Sequence, residues 1–238
     1  MRRLLLLCCL ALPATAAERL RLLTEEIPPS VMKVGNEISG YSTEKVRLMM
    51  ARAKVDYSID MYPWTRGYAM TQSMPNTCLY ATVRIPEREA LFKWVGPLAV
   101  SDWILYGRAS DRRKLKDLEA ARPLRIGAYY GDVRGDYLRD RGFQVEYVPK
   151  DELNLQKLIH GRIDLWVSSK RFAEIVIARK GLREQVVPVL TFRRASAYLA
   201  CNHDVPDTLI QRLNAAIASI NEDGSGAAIE QKYASWRD

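Results

Sequence analysis

What most restricts the fold of this chain is an alternation. Short runs rich in β-branched and aromatic residues take turns with stretches of helical periodicity. "RLRLLTEEIPP" alternates from Leu20 and stops at Pro28-Pro29, as a strand does. In "EISGYSTEKVRLMMARAKV" Gly40 turns the chain, Ser42 or Thr43 is placed to cap a helix, and Val46, Met49, Met50 and Ala53 share one helical face. "YSIDMYP" reads as a second strand, "WTRGYAMTQS" as a short helix weakened by Gly67, and "TCLYATV" as a third strand. A β-α-β-α-β order predicts a parallel sheet covered by helices, an α/β fold.

The order then recurs loosely. "PLRIGAYYGDVRGDYLRDRG" gives strand, Gly-rich turn and helix; "FQVEYVP", "KDELNLQKLIHGR", "IDLWVSS", "RFAEIVIARKG" and "VVPVL" continue the alternation. "ASAYLACN" is a last strand. "PDTLIQRLNAAIASINEDG" is a helix with Pro206 near its start and a stripe of Leu209, Leu213, Ile217 and Ile220. Two α/β lobes joined by extended crossings near "SDWILYG" and "LTFRRASAYL" fit this pattern; one continuous α/β domain is the alternative.

The first residues follow different rules. "MRRLLLLCCLALPATAAE" has a positive start at Arg2 and Arg3, an apolar run from Leu4 to Leu12, and small residues around Ala14 to Ala16. That is the grammar of a signal peptide over residues 1–17, too short to span a bilayer. Its removal takes the formal charge from +8 to +6. The remaining basic residues are scattered among acids, without the interleaved basic-aromatic stripe that nucleic acid requires. Of the cysteines only Cys78 and Cys201 lie beyond the leader. An oxidising compartment permits them to pair, but spacing does not decide it. His160 and His203 are the only histidines, and no Cys/His spacing predicts a metal site.

Catalytic signatures are missing: no G-x-S-x-G, no H-E-x-x-H, no P-loop, and "GDVRG" is no dinucleotide fingerprint. No cofactor is expected. "RIPEREALFKWVGPL" raises a binding question instead. Arg88 follows "TCLYATV", and ligands of α/β proteins gather beyond the carboxyl ends of parallel strands. An arginine offers a planar fork that matches a carboxylate; lysine offers a point charge. The bland alternative is a solvated arginine paired with Glu87 or Glu89.

The chain resembles the periplasmic solute-binding proteins of the amino-acid type, family 3, which serve ABC transporters. The resemblance is carried by "TEEIPP", "GYSTEKVRLMMARA", "PEREALFKWVGPL" and "GRIDLWVSS". It implies the type 2 periplasmic-binding fold, two lobes that close over a ligand, and a grip on the ligand's carboxylate at Arg88. It also implies an aromatic over the ligand at Trp64, with Tyr41 a weaker candidate. Arg66 is either a second anion contact or surface. Backbone donors are expected at Val133 and Arg134, where a loop enters a helix. Asp132 stands where the family often has threonine or serine, and capping that helix is its expected role. Trp94 and Trp103 are expected in the core.

Two departures limit the transfer. The aspartate that usually receives the ligand's ammonium is replaced by Ser169, with Asp164 given a structural role; another acid, Glu25 or Glu26, would have to receive it. Ala81 and Val83 stand where hydroxyls often assist, leaving Thr82. The expectation is a periplasmic, monomeric binding protein that captures a small anionic or zwitterionic solute for a membrane ABC permease. Residues 18–106 and 191–238 would form one lobe and 107–190 the other. The alternatives are a dehydratase-like lyase on the same fold, with Glu26 or Asp132 facing Arg88, and the ligand-binding module of a sensor.

Overall fold

The first half of the chain lays down β1 (Arg19–Thr24), β2 (Met32–Val34), β3 (Glu37–Ser39), α1 (Tyr41–Ala53), β4 (Asp56–Met61), α2 (Trp64–Ser73), β5 (Thr77–Val83) and the single turn α3 (Pro86–Glu89). A 16-residue strand, β6 (Lys93–Arg108), leads to β7 (Arg125–Tyr129), α4 (Val133–Arg139), β8 (Gln144–Val148), α5 (Glu152–Ile159), β9 (Leu165–Ser169) and α6 (Lys170–Arg179). A second 16-residue strand, β10 (Val186–Cys201), returns to α7 (Asp207–Glu222) and α8 (Ser225–Lys232). The coordinates come from a computed structural model that describes residues 19–112, 114–234 and 236. The expected leader lies outside the described residues.

Eight strands form one sheet in the order β4-β1-β5-β10-β6-β9-β7-β8. Each end is a parallel triple, with β1 between β4 and β5, and β7 between β8 and β9. The middle is antiparallel: β10 pairs with β5 and β6, and β6 pairs with β9. The two long strands therefore belong to both lobes and join them. "VVPVL" and "ASAYLACN" are one strand rather than two. Register shifts at Pro188/Leu190, Thr191/Arg193 and Ala197/Leu199 set Val189, Phe192 and Tyr198 out of step with β6 while β10 still tracks it.

Each lobe has its own core. In the first, Leu20, Leu22, Tyr80 and Cys78 from the sheet meet Val46, Met49 and Met50 of α1 and Leu209, Leu213, Ile217 and Ile220 of α7. The second lobe buries both faces of its sheet. Trp166, Leu155, Leu158 and Val176 lie together on one side, and Ile126, Ala128, Leu138 and Val167 on the other. Burial on both faces explains why "IDLWVSS" shows no polar alternation.

The start of α1 corrects the capping expectation. Its N-cap is Gly40, not a hydroxyl residue. The amides of Tyr41 and Ser42 donate to Pro29 O and Ser30 O at 3.1 and 3.0 Å. Gly40 has φ +109°, and a Cβ there would sit 2.4 Å from Ser30 O, so only glycine allows this approach. The hydroxyls serve the interior instead: Ser42 Oγ meets Ser30 Oγ at 2.7 Å and Thr43 Oγ1 meets Tyr80 OH at 2.9 Å. Cys78 and Cys201 face each other across β5 and β10 and are joined by a disulfide.

Candidate functional site

The carboxyl ends of β1, β5, β7 and β9 open on a common cavity between the lobes, and most of its polar groups come from the loops beyond them. Its inner chamber, about 110 Å³, is lined by Glu25, Tyr41, Trp64, Ala81, Val83 and Arg88 from one side. From the other come Tyr129, Gly131, Asp132, Val133, Arg134 and Ser169, with Trp103 of the crossing strand β6 between them. An outer chamber of about 770 Å³ shares Glu25, Tyr129, Arg134 and Ser169 and adds Glu26, Lys33, Asp151, Phe172 and Trp236.

Arg88 owes its place to the one-turn helix α3, which Pro86 starts after the extended Ile85. Only 9% of the residue is exposed. Its acidic neighbour is occupied: Glu89 takes a two-pronged bond from Arg84, at 2.8 and 2.5 Å. Arg88 itself lies over the rings of Trp64 and Tyr68, at 5.3 and 5.2 Å. Among the described residues no carboxylate comes within ion-pair distance of it. Burial therefore pulls its pKa down, against the weaker pull of Tyr68, Asp136 and Asp132. It is a desolvated cation packed on aromatic faces, with no described carboxylate at ion-pair distance.

Acidic groups gather on the other side. Glu25 follows β1 and accepts a hydrogen bond from Tyr129 OH at 3.3 Å, a contact from one lobe to the other. Desolvation raises its carboxyl to about 7; the Tyr129 bond opposes this and Asp132 adds to it. Asp132 is 1% exposed and caps α4 by accepting from Arg134 N at 2.9 Å; it also accepts from Arg134 Nε at 2.8 Å. Its other oxygen, Oδ2, has no hydrogen-bond partner. Asp151 begins α5 and accepts from Trp166 Nε1, Ser168 Oγ and Asn154 Nδ2 at 2.7, 3.1 and 3.2 Å. Desolvation dominates there too, and Asp151 titrates at about 6. Burial works against the charge of Arg134, but Asp132, Tyr129 and Asp151 outweigh it and hold that guanidinium charged.

Several expected site residues stand elsewhere or act differently. Thr82 is fully buried and donates to Leu79 O at 3.0 Å, so it does not line the chamber. Ala81, with φ +61°, kinks the end of β5 and leaves Ala81 and Val83 on the cavity wall. Glu26 is exposed in the outer chamber, at 3.4 Å from Lys33 N; Glu25 takes the inner place. The amide of Arg134 is spent on Asp132, which removes it as a backbone donor, although its side chain lines both chambers. Arg66 is exposed, 4.6 Å from the Tyr62 ring. Asp164 bonds Arg125 at 3.0 Å, away from the chamber.

Trp64, Tyr41, Val133 and Ser169 do line the chamber. Tyr41 also receives the guanidinium of Arg171 at 4.6 Å. Trp103 is 1% exposed and both core and wall. Tyr129 and Asp151 escaped the sequence reading, although each stands at the carboxyl end of a parallel strand. Among the described residues no group of three His, Cys, Asp or Glu could hold a metal ion, and no helix is long and apolar enough to cross a membrane.

A two-lobed α/β frame whose cavity sits at the strand ends, beside two long crossing strands, defines a ligand-trapping protein of the type 2 periplasmic-binding class. Residues 20–235 match the model of the bacterial extracellular solute-binding proteins, family 3, and the chain belongs to that family. No curated protein sequence matches it. Its fold is similar to a histidine kinase sensor domain with similarity to periplasmic binding proteins (TM-score 0.81, 18% identity, 92% of this chain and 97% of that one). It is also similar to the GluR0 ligand-binding core from Nostoc punctiforme in complex with L-glutamate (0.77, 20%, 90% and 99%). A third similar structure is the amino acid ABC transporter substrate-binding protein AbpA from Streptococcus pneumoniae bound to L-arginine (0.76, 16%, 91% and 94%).

Proposed function

We propose that this protein captures a small carboxylate-bearing solute of the amino-acid type between its lobes, without converting it. The carrying observation is Arg88, a buried guanidinium on the cavity wall with no carboxylate at ion-pair distance among the described residues. A buried unpaired charge is costly, and a ligand carboxylate relieves that cost when the lobes exclude water. Trp64 holds one face of the cation and lines the chamber, so it packs the body of the ligand beside the gripped group.

Residues 18–106 with 191–238 act as one lobe and 107–190 as the other, hinged through β6 and β10. Export through the leader to the periplasm is supported by the Cys78–Cys201 disulfide, a bond suited to an oxidising compartment. Delivery of a closed, monomeric form to an ABC permease is the reading that the family and the likeness to AbpA support. The likeness to a histidine kinase sensor domain favours a second reading, in which the same capture feeds a signalling partner.

A thermal-shift screen tests the capture. Common amino acids and their decarboxylated amines are compared on the wild-type protein, since stabilisation grows with the logarithm of free ligand over Kd. Carboxylate-bearing members should raise Tm and their amines should not. Stabilisation by the amines alone would remove Arg88 from the account.

A further inference from the structure

Where the loop after β1 meets the second lobe, acids gather from both sides. Glu25 accepts from Tyr129 OH at 3.3 Å, which joins the first lobe to the end of β7 in the second. Behind that tyrosine the second lobe sets two more carboxylates, Asp132 at the start of α4 and Asp151 at the start of α5. Arg134 stands among them, bonded to Asp132 at 2.8 Å, and the three carboxylates outnumber it. Among the described residues, Asp132 Oδ2 is buried with no hydrogen-bond partner. The other charged groups near Glu25 line separate walls: Arg88 the inner chamber from α3, Glu26 and Lys33 the outer chamber from the same lobe. Lys150, Glu152 and Arg179 line the outer chamber from the second lobe, the last two bonded to each other.

We propose that lobe closure takes up a proton at Glu25, so that acidification draws the ligand-free lobes together and a rise in pH lets them part. When the lobes separate, Glu25 leaves Asp132 and Asp151 behind and regains water, and both changes favour its carboxylate. When they meet, the protonated acid meets no repulsion and still accepts the bond from Tyr129 through its second oxygen. The proton therefore belongs to the closed form. With the lobes in contact, desolvation raises the carboxyl from its ordinary 4.5 to about 7; the Tyr129 bond opposes this and Asp132 adds to it. A group more basic in the closed form favours closure fully below about pH 4.5, and that preference is lost as pH rises through 7.

The switch rests on lobes hinged through β6 and β10, not on Arg88, and the experiment keeps the two readings apart. Small-angle scattering of the ligand-free protein from about pH 5 to 8, at fixed ionic strength, gives the ratio of closed to open molecules. In wild type that ratio should fall at least about tenfold across the range. Glu25→Gln, which keeps the shape of the neutral acid at every pH, should stay closed throughout. Asp132→Asn, whose amide oxygen still caps α4, should move the transition to lower pH, a displacement that a merely structural Glu25 would not show. A wild-type envelope that is the same at both ends, or a transition that survives in Glu25→Gln, overturns the switch. Contraction on adding a carboxylate solute would in that case leave the capture reading standing. If neither pH nor solute changes the envelope, the hinge falls and the switch falls with it.

Discussion

Single side chains decide the chemistry here, and they do so through what their neighbours leave unmatched. Glu89 goes to Arg84, and Arg88 is left to the cavity. Glu25 carries the opposite imbalance. Its folded pKa of about 7 lies above its ordinary 4.5, so the folded state favours the protonated form. Relative to Glu25→Gln, wild-type stability is therefore undiminished below about pH 4.5 and falls as pH rises through 7. Without ligand, Glu25→Gln should match wild type near pH 4.5 and exceed it by roughly 1–3 kcal/mol near pH 8, read from melting curves. A variant equally stable or less stable at both ends would mean that Glu25 is not strained by burial. The place of Arg88 on the cavity wall was legible through the resemblance carried by "PEREALFKWVGPL"; alone, an arginine after a strand end and a proline turn left a solvated ion pair open. The choice of Glu25 over Glu26 was not legible, since adjacent acids in a loop carry no periodicity. Thr82 misled because the kink at Ala81 breaks the two-residue alternation.

Elements were the most readable level. The apolar stripes of α1 and α7 are the buried faces, and α2 and β5 run where their patterns start and stop. The hairpin β2–β3 was missed because its strands are three residues each, although Gly35-Asn36 between them is a turn signal. α8 has too weak an apolar face to stand out. Spacing could not decide the cysteines either, because their meeting depends on β10 returning to lie beside β5. That pairing makes a prediction. The disulfide closes a sequence separation of 123 residues, so Cys78→Ala with Cys201→Ala should cost roughly 2–5 kcal/mol. For a chain of this size that lowers Tm by about 2–4 °C per kcal/mol. An unchanged Tm in the double variant, or in reduced wild type, would show that the sheet alone fixes this contact.

At the scale of the whole molecule, the proposed function is the approach of two lobes. The repeated strand-helix order announced two halves, but only the folded register shows which loops meet across the gap. Gly131, in the turn before α4, is such a meeting point. It has φ +81°, and a Cβ there would stand 2.5 Å from Trp64 Cδ1 in the opposite lobe. Gly131→Ala should therefore hold the lobes apart. Ligand affinity should fall about tenfold or more, and small-angle scattering should show no contraction on adding ligand where the wild type contracts. The backbone strain itself costs only about 1 kcal/mol of stability. Normal affinity with normal contraction would mean that closure does not need this contact.

The central claim is that Arg88 is kept without an ion-pair partner on the wall of the inter-lobe chamber for the carboxylate of an incoming solute. Its most direct test is calorimetric titration of Arg88→Met against wild type with the best carboxylate ligand of the screen, alongside the ligand-free Tm of both. Removing one partner of a buried charge pair costs about 2–5 kcal/mol, so affinity should drop at least about thirtyfold while the free variant melts no lower than about 1 kcal/mol below wild type. Affinity within about threefold of wild type, in a variant that has lost several kcal/mol of stability, would make Arg88 a structural residue and contradict the account.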